Sequence, residues 1–90
     1  MAELFEVAEL AGVTDVADVQ RYCDEQARHI LAHCDVRGLK IACAESLTAG
    51  LLADSFVRIP GASSVFLGSA VTYDIHAKAM VLGVDAELLR

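Results

Sequence analysis

The sequence predicts an α/β fold: a parallel β-α-β-α unit preceded by helices, the first half of a three-layer α/β/α domain. Three observations carry that prediction. Two short, mostly apolar runs, LKIACA (39–44) and SSVFLGSAVTY (63–73), lack helical spacing. Between them lies a segment with helical periodicity that Pro60-Gly61 terminates. Helical patterns also lead into the first run. Two short strands joined by one crossover helix pair as parallel neighbours with right-handed connection, so their C-terminal ends share one edge of the sheet. Open α/β folds bind ligands at that edge.

Taken in order, ELFEVAELA (3–11) places Leu4, Val7, Ala8 and Ala11 at helical spacing before Gly12 stops the pattern. Thr14 is the expected N-cap of a second helix, with Asp15 and Asp18 near its positive end. Its apolar face is Val16, Val19, Cys23, Ala27, Ile30, Leu31 and Cys34, and Gly38 supplies the exit loop. LKIACA reads as a strand covered on both faces. Thr48 is the expected cap of the crossover helix, which carries Leu51, Leu52, Ser55, Phe56 and Ile59. After the second strand, Asp74 caps a helix bearing Ile75, Ala79 and Leu82, and Gly83 ends it. Asp85 to Arg90 holds a cap, an acidic first turn and an apolar pair, then stops after about one turn, too short to stand alone. A family resemblance given below implies the division into a helical extension over 1–22 and the first half of an α/β domain over 23–90.

Composition narrows the function classes. Ninety residues with 56% hydrophobic content and one proline make one folding domain. So apolar a chain of this size leaves greasy surface that something else covers. With a net charge of −6 and seven basic residues scattered singly, no stripe matches a run of phosphates, so nucleic acid is not an expected partner. Cys23, Cys34 and Cys43 are odd in number and lack C-x-x-C spacing, against a disulfide framework or a structural zinc site. The acidic start lacks the basic region of a secretory signal, and no apolar run reaches the roughly 18–20 residues of a membrane span. A cytoplasmic location is expected.

Ser46 follows the first strand and Tyr73 ends the second, 27 positions later. Ser46 has two readings: a cap or turn residue, or a nucleophile whose oxyanion is stabilised by free N–H groups of the helix beginning near Thr48. The surrounding AESLT is not a G-x-S-x-G elbow, because Ala44 and Thr48 replace the glycines. His29, His33 and His76 are candidate bases by type only; His29 and His33 stand four apart but have no evident third metal ligand. Tyr73 and Lys78 form the better-placed pair, as a strand-end core residue and a solvated helix residue, or as a relay and a base. Glu45 is expected to brace the turn in preference to acid-base chemistry. Gly50, Gly61 and Gly68 form no dinucleotide or Walker fingerprint.

Three ordered segments, AESLTAGLLADSF (44–56), IPGASSVFLGSAVTYDIHAK (59–78) and VLGVDAELL (81–89), resemble the C-terminal domain of the competence/damage-inducible protein CinA. That family also includes stand-alone nicotinamide mononucleotide amidohydrolases (PncC). The resemblance runs from about Cys23 to Arg90. It implies hydrolysis of the carboxamide of nicotinamide mononucleotide to the nicotinate nucleotide and ammonia, with no metal or other cofactor. Ser46 falls on the family's nucleophile, Tyr73 on its tyrosine and Lys78 on its lysine. Glu45, Thr48 and Gly50 are expected at the substrate site, and a homo-oligomer is expected. Where the family reads A-E-S-C-T-G-G, Leu47 and Ala49 stand for the cysteine and first glycine; Asp-Ile-His-Ala replaces Ser-Asn-Glu-Ala before Lys78. The family's domain is nearly twice as long, with a later glycine-rich loop that this sequence lacks. A non-catalytic, truncated domain that associates with itself or a partner is the alternative expectation.

Overall fold

The structure, a computed structural model, describes residues 15–89. The expected helix over 3–11 and the Thr14 cap lie outside them. Helix α1 spans Val16–Val36, and its N-cap is Asp15, whose carboxylate accepts from Asp18 N–H at 2.8 Å. One helix therefore runs unbroken across the expected boundary between residues 22 and 23. Its exit is a glycine-terminated turn: Gly38 takes φ 67°, Leu39 N–H reaches Cys34 O and Gly38 N–H reaches Asp35 O.

Strand β1 (Ile41–Glu45) pairs in parallel with β2 (Phe66–Val71), joined by helix α2 (Leu51–Val57) and a single 3-10 turn at Ala62–Ser64. The register runs from Ile41 opposite Phe66 to Glu45 opposite Val71, with an irregularity after Ile41. Helix α3 (Ile75–Leu82) follows, capped by the Asp74 carboxylate on Ala77 N–H and closed at Gly83 with φ 70°. A 3-10 turn at Ala86–Leu89 ends the described chain.

The core is one-sided. Ala27 and Leu31 of α1 meet Phe56 of α2 and Ile59, Ala62 and Val65 of the following loop, Val65 being 1% exposed. Phe56 stacks on Phe66 with ring centroids 5.5 Å apart, which locks α2 onto β2. Arg58 forks onto Asp24 at 3.1 and 3.2 Å and ties the end of α2 to α1. On the opposite face of the sheet, Ala42 and Ala44 are exposed and Leu67 is 69% exposed. The expectation of strands covered on both faces is therefore corrected: among the described residues one face is covered. Likewise Val16, Val19 and Ile30 of the expected α1 face stay exposed, because α2 is only two turns long and cannot reach them all.

The β1–α2 connection is a tight turn rather than the start of the helix. Ala49 N–H bonds to Ser46 O at 3.2 Å and Leu51 N–H to Thr48 O at 3.0 Å. Ala49 is the one described non-glycine residue at positive φ, 53°. A Cβ in that region costs about 1–2 kcal/mol, whereas glycine's greater freedom in the unfolded chain costs about 0.5–1 kcal/mol. Release of strain outweighs the entropy. Ala49→Gly is accordingly expected to stabilise the chain by about 0.5–1 kcal/mol in a urea titration; a loss of stability would contradict the assigned turn.

Candidate active site

Three segments converge where the strands end. Ser46 leaves β1, Thr72 and Tyr73 leave β2, and Lys78 lies one turn into α3. Lys78 Nζ stands 2.9 Å from Ser46 Oγ, 2.9 Å from Thr72 O and 3.1 Å from Tyr73 O. Three acceptors around one nitrogen satisfy an ammonium fully. The same geometry also fits the neutral amine: two N–H groups go to the two carbonyls, and the lone pair then points at the Ser46 hydroxyl. Serine and lysine are thus already within proton-transfer distance.

Ser46 is half-buried, and so is Lys78, whose side chain folds back along α3 to the sheet edge. Tyr73 differs from expectation. The residue is 74% exposed, and among the described residues its hydroxyl has no hydrogen-bond partner. What Tyr73 brings to Lys78 is its carbonyl.

Glu45 occupies the other side of the junction, 5% exposed. Its Oε1 accepts from Thr48 Oγ1 at 2.9 Å and Leu52 N–H at 2.8 Å; its Oε2 accepts from Ala53 N–H at 3.1 Å and Ser69 Oγ at 2.8 Å. This arrangement fits the expected bracing role of Glu45 and corrects two other expectations. Thr48 does not cap α2; Gly50 is the cap residue, with φ 103° and no side chain to offer, and Glu45 reaches over to do the capping. The first-turn N–H groups expected to hold an oxyanion are taken by that carboxylate. Glu45 itself accepts four hydrogen bonds from within the chain. Thr48 is exposed and Gly50 packs near Val71, where an added Cβ would lie 3.8 Å from Val71 Cγ2.

Burial pushes the Glu45 carboxyl up, but the hydrogen bonds from Leu52, Ser69, Ala53 and Thr48 outweigh it and hold the pKa down from the ordinary 4.5 to about 2. Burial, followed by the Glu45 charge, pushes the Cys43 thiol up, which keeps it protonated and unreactive at neutral pH. The histidines lie away from this edge or point outward: His29 and His33 are exposed on α1, where His33 Nδ1 sits 3.0 Å from an Arg37 guanidinium nitrogen, and His76 is exposed. Among the described residues no three His, Cys, Asp or Glu side chains group as metal ligands. A cleft of about 420 Å³ lies beside α1 between Arg28, Leu31 and Pro60, away from the serine–lysine pair. Two contributors had not been singled out in the sequence: Thr72, 4% exposed, whose carbonyl holds Lys78, and Ser69, which holds Glu45. A serine within the apolar run is the signal for Ser69, whereas Thr72 acts through its main-chain carbonyl, which no residue type marks.

A family model for the CinA C-terminal domain matches residues 23–90. The chain belongs to the CinA C-terminal domain family. Over 60 residues it is 42% identical to a CinA-like protein of Acidobacterium capsulatum, a match covering 67% of this chain and 14% of that protein. Over 54 residues it is 52% identical to a CinA-like protein of Prochlorococcus marinus, covering 60% of this chain and 13% of that one. The solved structure of the competence/damage inducible protein CihA from Agrobacterium tumefaciens superposes with a TM-score of 0.72 at 40% identity, covering 74% of this chain and 41% of that one. The matched segment therefore spans about one seventh of these curated CinA relatives and two fifths of the solved CinA-type chain. No described helix is long and apolar enough to cross a membrane.

The Glu45 bonds make the CinA fold of this chain sensitive to acid. A carboxylate whose folded pKa lies below its unfolded one stabilises the fold above about 4.5, and that contribution is lost as pH falls towards about 2. Urea midpoints measured across this window are expected to fall for the wild type and to fall less steeply for Glu45→Gln. Equal slopes would remove Glu45 from the acid response.

Proposed function

We propose that this chain carries the nucleophilic part of a nicotinamide-nucleotide amidohydrolase, cleaving the carboxamide of nicotinamide mononucleotide to the nicotinate nucleotide and ammonia. The observation that carries the reading is Lys78 Nζ at 2.9 Å from Ser46 Oγ. Membership of the CinA C-terminal domain family supports it.

In the proposed reaction the Lys78 amine, oriented by the Thr72 and Tyr73 carbonyls, accepts the Ser46 proton as Ser46 Oγ attacks the amide carbon. The C–N bond then breaks, Lys78 returns the proton to the leaving nitrogen as ammonia departs, and water hydrolyses the acyl-serine with Lys78 again as base. The exposed Tyr73 phenol is assigned to the bound substrate.

A second reading is favoured by a different observation. Helix α3 buries none of its residues, and Ile75, Met80 and Val81 stand exposed, as does Leu67 of the sheet. In this reading the domain acts by association, with itself or a partner, through that apolar surface. Light scattering behind size-exclusion chromatography decides it: a 9.6 kDa monomer at all concentrations counts against association.

Incubation of the full chain with nicotinamide mononucleotide is expected to release ammonia. Ser46→Ala and Lys78→Ala should each lower kcat at least about 100-fold, in keeping with loss of a nucleophile or base. Tyr73→Phe keeps the carbonyl, so it should leave the melting temperature unchanged and reduce kcat/KM by a smaller factor. Ammonia release that survives Ser46→Ala would defeat the serine mechanism.

A further inference from the structure

We propose that Glu45 is a positioning residue for the serine–lysine pair, fixing Ser46 and Lys78 relative to each other through its side chain on one side and its main chain on the other. The inference rests on Ser46 and Lys78 acting together, and not on the identity of their substrate.

The side-chain half of the argument begins with what holds Ser46. Among the described residues its hydroxyl has a single partner, Lys78, so the position of Oγ is inherited from the backbone turn. That turn is poorly supported from within. Its internal bonds are the long Ala49 to Ser46 contact of 3.2 Å and the Leu51 to Thr48 contact of 3.0 Å, and it contains Ala49 at positive φ. The Gly50 cap offers no side chain. Glu45, the residue immediately before Ser46, supplies the missing rigidity by binding the turn at Thr48, the start of α2 at Leu52 and Ala53, and β2 at Ser69. Movement of the turn must break bonds on three elements together.

The main-chain half concerns Lys78. Glu45 O accepts from Thr72 N–H at 2.9 Å, and Thr72 O in turn accepts from Lys78 Nζ at 2.9 Å. Both members of the pair are therefore referenced to one residue. Fixing the distance matters because misplacement of reacting groups by about 1 Å can lower a rate about 100-fold.

An anion suits this post better than an amide. All four donors point at carboxylate oxygens, whereas glutamine would set its NH2 against the Ala53 or Leu52 N–H and leave a donor facing a donor. The carboxylate has no cation partner among its contacts, so its burial is sustained by hydrogen bonds alone.

The test uses the full chain and two readouts: ammonia release from nicotinamide mononucleotide, and the rate at which a fluorophosphonate labels Ser46, located by peptide mass spectrometry. The control is Phe56→Leu, a core change away from the pair, with all assays run well below the melting temperatures of the variants. Glu45→Gln is expected to lower kcat and labelling at least about 10-fold with KM within about twofold, while Phe56→Leu keeps the wild-type labelling rate. Ser69→Ala and Thr48→Ala, each removing one of the four bonds, should give smaller decreases in labelling, and they carry the test if Glu45→Gln does not fold. Labelling of these variants at the wild-type rate overturns the positioning role. Labelling of wild-type Ser46 without ammonia release rejects the nucleotide substrate and leaves the labelling series to judge Glu45. Absence of wild-type labelling overturns both.

Discussion

A carboxylate taken out of water must find a donor for each of its strong acceptor sites, and Glu45 finds four on three separate elements. That requirement organises the whole junction. It sets where α2 begins, since the Leu52 and Ala53 N–H groups are its partners, and it aligns β2, since Ser69 must face across from β1. It also explains how the chain tolerates a turn with an alanine at positive φ and a glycine cap without a side chain. Loss of local capping is offset by a bond that comes from the preceding strand.

Lys78 plays the corresponding part for the last helix. Helix α3 buries no residue, so apolar packing does little to seat it, and its connection to the sheet edge runs through one Nζ and the three oxygens of Ser46, Thr72 and Tyr73. A chemical group and a structural tether coincide in the same atom. That economy carries a liability, because the covered core lies on the opposite side, around Phe56, Phe66 and Val65, and leaves α3 and the outer face of the sheet exposed. The matched segment covers 41% of the solved CinA-type chain.

Much of the element order was legible from spacing alone. Residues with a strong local effect were easy to read: Gly38 and Gly83 at the ends of α1 and α3, Asp74 as a cap, Pro60-Gly61 after α2. Errors arose where a distant group displaced the local candidate. Thr48 is a sound helix cap by type, but a buried carboxylate at the end of a strand competes for the same N–H groups and wins, since a charged acceptor binds them more strongly. Position near one edge makes Tyr73 a candidate partner for Lys78, but nothing in the sequence separates a phenol pointing at the lysine from one pointing at solvent.

The sequence by itself determined the β-α-β-α order, the shared edge of the two strand ends, and the presence of Ser46 and Lys78 near it, because periodicity, glycines and proline act over a few residues. Only the tertiary structure decided which atoms meet. The contact between Ser46 and Lys78 spans 32 positions, and the Glu45 to Ser69 bond spans 24. Such contacts depend on strand register and on the angle at which α3 leaves the sheet, and a register slip of one residue would turn every side chain of a strand to the other face.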